Sequence, residues 1–334
     1  MKRRIEWVDI AKGITILLVV FGHGLQGIIS SSHLTLFSKN SSLVLVDKII
    51  YGFHMPLFFF LSALFTGFLY RRYQTVIIQK VKRLLVPYFV WSFITAFFMQ
   101  IASKYTNAGL GIKDFILSPI IPFSEYWFLY VLFFIFMLYL LVKSIFSTKA
   151  KQIVLFIAIV LLIFKPIMPD IWIMSKISQN LIFFAIGSYF FDIFVSKTKI
   201  NLQKAMITTF LFITVNVGYI WLLYYNNKLI LTYYWYFTAL IGITWITSLS
   251  MFISDHLLNK ITVFLKYCGR NTMPIYVMHL IPLAGLRIFL LKIIGVRDLW
   301  MAVLAISVIS LLTSLLANYI IKHIGLDKYL FGTF

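Results

Sequence analysis

The first long apolar run of this chain holds two residues that could move a proton and hold an anion. His23 stands in Phe21-Gly22-His23-Gly24, and Lys12 in Asp9-Ile10-Ala11-Lys12-Gly13. An imidazole, with an ordinary pKa of about 6.5, exchanges protons near neutral pH and suits general acid–base work. A lysine ammonium pairs with phosphate or carboxylate oxygens. Being eleven residues apart, the two fall within roughly 20° of one helix face and roughly 16 Å apart along its axis. Asp9 lies one turn from Lys12 on that face, where the two charges partly offset each other. It is roughly 21 Å from His23 on helical geometry, too far to orient that imidazole. Gly13, Gly22 and Gly24 open the face to a close neighbour. The structural alternatives are that Lys12 only anchors the helix at the membrane surface and that His23 is a hydrogen-bonded packing residue.

Other candidates follow along the chain. His54, in Phe53-His54-Met55-Pro56, is expected in the outer turns of the second run at a depth similar to His23, with Pro56 in the first helical turn. Glu125 is one of two glutamates and opens the fourth run, where it could orient a histidine or bind a sugar hydroxyl. Trp127 beside it fits an aromatic belt. Lys80, Lys82 and Arg83 form a basic cluster before the third run, either a topology signal or, with Lys12, a cradle for phosphates. Asn271 and His279 fall in the ninth run, and Arg287 beyond them is expected to snorkel to the outer interface. No zinc-type histidine spacing, phosphate loop, dinucleotide fingerprint or nucleophile elbow is present.

The elements that must carry these residues are membrane helices. Of the 334 residues 61% are hydrophobic and 12% charged, with a mean hydropathy of +0.95; a soluble domain is roughly half apolar and a quarter charged. About ten runs are long enough to span a bilayer: 10–29, 51–70, 84–103, 126–146, 152–168, 177–195, 205–225, 232–253, 271–291 and 299–321. Each must be helical, because lipid offers backbone groups no partner. The expected fold is therefore an all-α polytopic bundle, one membrane domain over 1–334 with no appended soluble domain. The segment 255–266 reads as amphipathic and surface-lying. Most lysines and arginines collect on the side of the N-terminus: Lys2, Arg3, Arg4, Lys12, Arg71, Arg72, Lys80, Lys82, Arg83, Lys143, Lys149, Lys151, Lys197, Lys199, Lys204, Lys260, Lys266, Arg270, Lys322 and Lys328. The positive-inside rule then puts both termini in the cytosol. The net charge of +20 is accounted for by topology and by attraction to anionic membrane lipids, with no nucleic acid needed. With one cysteine, Cys268, no intramolecular disulfide forms; its place before the ninth run makes it an expected cytosolic thiol reporter.

Taken in order, several stretches resemble acyltransferase family 3 membrane proteins, which O-acylate sugars of bacterial envelopes. They are Asp9-x-x-Lys12-Gly13 followed by His23, the run from Phe53-His54-Met55-Pro56 to Ser62, Lys80-x-x-Arg83-Leu84-Leu85-x-Pro87-Tyr88, Trp127-Phe128-Leu129, and Gly269-x-Asn271 with Tyr276-x-x-His279-Leu280. The resemblance covers essentially the whole chain. It implies a cytosolic acyl-CoA donor, acetyl-CoA by default, an acceptor on the outer side, and a bacterial cell membrane. It also places the family's catalytic histidine on His23 and its first-helix basic residue on Lys12. Two departures stand out. The family often has arginine at the Lys12 position, and it has an arginine four residues before the Arg83 position, where this chain has Gln79. Many relatives carry an extracellular hydrolase-like domain after the membrane part. Its absence from these residues implies direct transfer or a separate partner protein.

Residues and resemblance together give an expected reaction. Asp9, Lys12, Lys80, Lys82 and Arg83 form the donor-binding set, with no metal. His23, helped by His54 and Glu125, removes the proton of a carbohydrate or lipid-linked sugar hydroxyl, or carries the acyl group transiently. Trp127, Asn271 and His279 are further site candidates, and a homo-oligomer is compatible with the sequence. Two other classes fit a ten-helix chain: a transporter or flippase of acyl groups or lipid-linked saccharides, and a scaffold or sensor in which buried histidines have no purpose.

Overall fold

The computed structural model describes residues 5–38, 41–66, 73–102, 109–169, 171–189, 200–225, 227–257 and 259–332. Lys2, Arg3, Arg4, Arg71, Arg72, Lys197 and Lys199, and the ends of the runs at 67–70, 103 and 190–195, lie outside the described residues. The protein is all-α, with no strand among the described residues. Eight helical stretches among them are long and apolar enough to cross a membrane. One, Ser124–Ile167, has 44 residues, too many for one crossing of about 30 Å of hydrocarbon. It holds two helices, α6 (Trp127–Phe146) and α7 (Ala150–Phe164), joined by a 3-10 turn at Ser147–Lys149. Lys176, Gln179 and Asn180 dilute α8 (Trp172–Tyr189), which is not among the eight.

The remaining helices are α1 (Glu6–Ser31), α2 (Ser41–Ala63), α3 (Tyr73–Lys80), α4 (Val86–Ile101), α5 (Ile112–Ile116), α9 (Leu202–Tyr225), α10 (Lys228–His256), α11 (Lys260–Arg270), α12 (Thr272–Met278), α13 (Leu280–Ile288), α14 (Leu299–His323) and α15 (Asp327–Phe331). Their ends follow local chemistry. Asn227 caps α10 by accepting from the Ile230 N–H, and Asp298 caps α14 by accepting from the Met301 N–H. A π-helical turn, Val81–Leu85, joins α3 to α4. Pro87 follows it and has no N–H to return to the Arg83 carbonyl, which favours a widened turn there.

Burial on α14 runs opposite to that of a soluble helix. Leu304, Val308, Leu312 and Leu316, four residues apart in series, are each more than half exposed, while Ser307, Ser310, Ser314 and Asn318 are buried. Apolar side chains face outward and small polar ones inward, the pattern of a helix whose solvent is lipid. This chain is a multi-pass membrane protein.

The chain forms two compact units. The first takes Met1–Thr15, Ile49–Tyr73 and Phe134–Arg270; the second takes Ile16–Lys48, Gln74–Phe133 and Asn271–Phe334. In the first, α7 packs on α8 and α9 on α10, with Phe212 stacked on Trp245 at 4.0 Å between ring centroids. In the second, α4 packs against α5, α12 and α15, and α14 against α12 and α13.

Three expectations are corrected. The second helix starts at Ser41, well before the expected 51, because Leu43, Val44 and Ile50 are buried and extend its apolar face upstream. Pro56 is therefore in the helix interior, and His54 is several turns in rather than near the end. Arg287 does not snorkel: it is buried. Cys268 is buried as well, and burial pushes its thiol up to about 11, so the native cysteine is a poor labelling reporter.

Candidate functional site

The second unit brings His23, Glu125 and His279 together. His23 Nε2 lies 3.9 Å from Glu125 Oε2, and the His23 ring stacks on the His279 ring with centroids 5.2 Å apart and planes 30° apart. Both histidines are buried, and Glu125 is half-buried. Three elements supply them: α1, the 3-10 turn Ser124–Tyr126 ahead of α6, and the junction between α12 and α13.

That junction exists for a local reason. Pro282 has no N–H to return to the Met278 carbonyl, so the helical ladder is interrupted beside His279. The ring is then fixed by its own backbone: Nδ1 donates to the carbonyls of Tyr276 at 2.8 Å and Ile275 at 3.1 Å. Carbonyls only accept, so the proton is on Nδ1 and Nε2 carries the lone pair. That Nε2 is buried with no hydrogen-bond partner among the described residues. The His279 carbonyl accepts from Ser310 Oγ at 2.7 Å, which ties the junction to α14.

Glu125 is held by tyrosines that the sequence reading did not single out for this purpose. Tyr276 donates its hydroxyl to the Glu125 carbonyl. Tyr126 donates to the Val277 carbonyl at 2.8 Å, which leaves Thr95 to donate to the Tyr126 oxygen at 2.7 Å. The approach to the turn is pinned too, by Tyr88 donating to Ser118 at 2.7 Å, Phe123 N–H donating to Tyr88 at 3.1 Å, and Tyr130 donating to Pro119 at 2.6 Å. Tyr88 and Tyr276 lie in the motifs that carried the resemblance. Nothing in the local sequence of Tyr126 and Tyr130 marks them as fasteners.

The other candidates have definite places. Trp127 opens α6 and is half-buried. Asn271 fastens α12 to α14: its Oδ1 accepts from Asn318 Nδ2 at 2.9 Å and Lys322 Nζ at 2.7 Å. Lys82 and Arg83 are exposed on the π-turn, with Lys80 half-buried before it. The backbone of that turn touches Gly332, where an added Cβ would stand 1.8 Å from the Lys82 carbonyl oxygen. The neighbouring Trp91 donates to the Leu330 carbonyl at 3.0 Å, so α15 braces the turn's base.

His54, Lys12 and Asp9 belong to the first unit. His54 is fully buried, with Nδ1 donating to the Ile50 carbonyl at 2.7 Å and its ring edge-on to Tyr51. Lys12 Nζ stands 5.3 Å from the centre of the Phe65 ring, a cation–π contact. Asp9 meets Arg270 Nε at 3.2 Å, and Glu6 meets Lys266 Nζ at 2.6 Å. These pairs join α1 to α11 where the backbones touch: an added Cβ on Gly13 would stand 2.0 Å from the Leu265 oxygen, and one on Gly269 1.8 Å from the Asp9 oxygen.

A family model described as an acyltransferase domain matches residues 5–319. No curated protein and no solved structure matches the chain.

Proposed function

Because the chain belongs to the acyltransferase family whose model spans residues 5–319, we propose that this membrane enzyme moves an acyl group, acetyl by default, from acyl-CoA to a hydroxyl of an envelope or extracellular polysaccharide or lipid-linked sugar. The observation that supports this reading best is the buried pair of stacked histidines with a glutamate 3.9 Å from His23. In the proposed reaction His23 takes the proton of the acceptor hydroxyl as its oxygen attacks the thioester carbon. The C–S bond then breaks, and His23 returns the proton to the departing thiolate. The Glu125 carboxylate attracts the imidazolium formed in between. The Nε2 lone pair of His279 accepts a hydrogen bond from the acceptor and so positions it. In a route through acyl-His23 the thiolate leaves as His23 takes the acyl group. The acceptor oxygen then attacks that acyl group while its proton passes to His279 Nε2 and His23 departs as the leaving group.

Binding of the donor is assigned to charge. The phosphates of CoA fit the exposed guanidinium and ammonium of Arg83 and Lys82 on the π-turn, with Lys80 as a further partner. Lys12, in the first unit, is assigned to the donor by the resemblance alone. Lys12→Ala and Arg83→Ala should each raise the KM for acyl-CoA; unchanged donor affinity in both would remove the assignment. Asp9, already engaged by Arg270, acts through that pair. The proposed orientation, with both termini cytosolic in a bacterial cell membrane, is read by Ile261→Cys in a Cys268→Ser background, since Ile261 is 67% exposed. An impermeant maleimide should label it only after cells are opened. The reaction itself is tested by mass spectrometry of envelope glycans from cells with and without the protein. Base-labile acyl groups should appear only with it; identical glycans would return the transporter reading.

A further inference from the structure

Arg287 is a buried cation that the reaction above does not use. It is 7% exposed, on α13 in the second unit. A guanidinium offers five N–H donors and keeps its charge in proteins. Among the described residues its one polar contact is Nη1 to the Gly27 carbonyl at 3.5 Å, the outer edge of a hydrogen bond. No carboxylate of the described residues lies within 4.0 Å of it. A buried charge is tolerated when an anion and hydrogen bonds compensate its lost hydration. One long contact to a carbonyl does not do that.

Position says what the anion belongs to. Gly27 lies four residues past His23 on α1, roughly 6 Å along the axis and roughly 40° around it. An added Cβ at Gly27 would be 3.4 Å from Arg287 Cδ and 3.7 Å from Leu283 Cδ2, so both side chains lie against the half-buried glycine. The helix ends at Ser31, one further turn on. Arg287 thus sits between the proton-transfer residue and the C-terminal end of α1, the end away from Lys12. In the proposed reaction the donor arrives from the Lys12 end and the acceptor from the other.

Resting on that reading, we infer that Arg287 is an anion subsite for the acceptor: a carboxylate or phosphate on the acceptor binds its guanidinium while a hydroxyl of the same molecule reaches His23. The substrate class is then an acidic or phosphorylated saccharide rather than a neutral glycan. A planar guanidinium takes two oxygens of either group at once.

The test is binding to the purified protein in lipid nanodiscs, with methyl β-glucuronide, glucose 1-phosphate and methyl β-glucoside as probes. The two anionic probes should bind at least about tenfold more tightly than the neutral one. Arg287→Gln should erase that preference, and Arg287→Lys should keep part of it, because an ammonium lacks the paired donors. Equal binding of all three probes to the parent protein, or a preference that survives Arg287→Gln, overturns the inference. Should the glutamine variant fail to fold, an unchanged preference in Arg287→Lys overturns it equally. Selective loss of succinyl-CoA over acetyl-CoA binding in Arg287→Gln would assign the anion to the acyl group and end the acceptor assignment. An Arg287-dependent preference in a protein that adds no acyl group to any glycan would keep this subsite and remove the acyltransfer reading.

Discussion

The two units use their charged and titratable groups in opposite ways, and α1 contributes to both. In the first unit, charge closes on charge: Asp9 with Arg270 at 3.2 Å and Glu6 with Lys266 at 2.6 Å, over a backbone contact that Gly13 and Gly269 permit. In the second, His279 and Arg287 are held on one side and left available on the other. His279 commits Nδ1 to two carbonyls while its Nε2 has no partner among the described residues. Glu125 is fixed through its backbone by Tyr276, while its carboxylate stands 3.9 Å from His23. Arg287 spends one donor on a 3.5 Å contact. Paired charge fastens helices, whereas half-committed groups, already oriented, are what a substrate can complete.

The hardest test of this contrast is His23→Gln. Glutamine imitates an imidazole hydrogen bond but cannot accept the proton, so acyl transfer should fall by about 10² to 10⁴. Acyl-CoA binding and melting temperature should stay near those of the parent. Near-normal acyl transfer in this variant would make His23 a packing residue and leave His54 as the alternative. The same logic inverts in the first unit for Gly269→Ala, where an added Cβ would stand 1.8 Å from the Asp9 oxygen. Helices α1 and α11 would have to part, at a cost of about 1 to 3 kcal/mol. A melting temperature within a degree of the parent would show that the backbone contact is not what fastens this unit.

A subtler effect is expected from Tyr276→Phe, which removes the donor to the Glu125 carbonyl and leaves the ring in place. A neutral hydrogen bond contributes about 1 kcal/mol, so kcat should fall several-fold while the KM for acyl-CoA holds. Tyr276 is a positioning residue, and a change in donor KM with unchanged kcat would place it elsewhere in the reaction.

Much of this was legible in the sequence and some could not have been. Long apolar runs announced the helices, since lipid leaves the backbone no other choice, and histidines at 23 and 279 inside such runs announced themselves as costly. The stacking of those two rings was not legible, because residues 256 positions apart meet only through the packing of different helices. Arg287 shows the limit more sharply. Near the end of an apolar run, local sequence favours snorkelling to the interface; its burial depends on α13 lying against Gly27 of α1, a long-range contact with no local signature. The early start of α2 escaped for the opposite reason. Asp47 and Lys48 look like a polar loop, but both lie within the helix, Asp47 buried and Lys48 exposed.

The smallest effect should come from the pair that looks strongest on distance alone. Glu6 and Lys266 meet at 2.6 Å, yet the glutamate side chain is 55% exposed, so water screens the attraction and both long side chains lose freedom in keeping it. Such pairs contribute about 0.2 to 1 kcal/mol. Glu6→Gln should therefore shift the melting temperature by little and leave acyl transfer untouched, with the shift shrinking further in high salt. Arg270→Gln is the informative companion, because it strands the Asp9 carboxylate, which is only 9% exposed where Glu6 is open to solvent. It should cost more than Glu6→Gln and be less sensitive to salt. If the two variants were equally mild, the pairs would be incidental to a junction held by its glycines. If Glu6→Gln instead suppressed acyl transfer, the division between a fastening unit and a reacting unit would be wrong at its first residue.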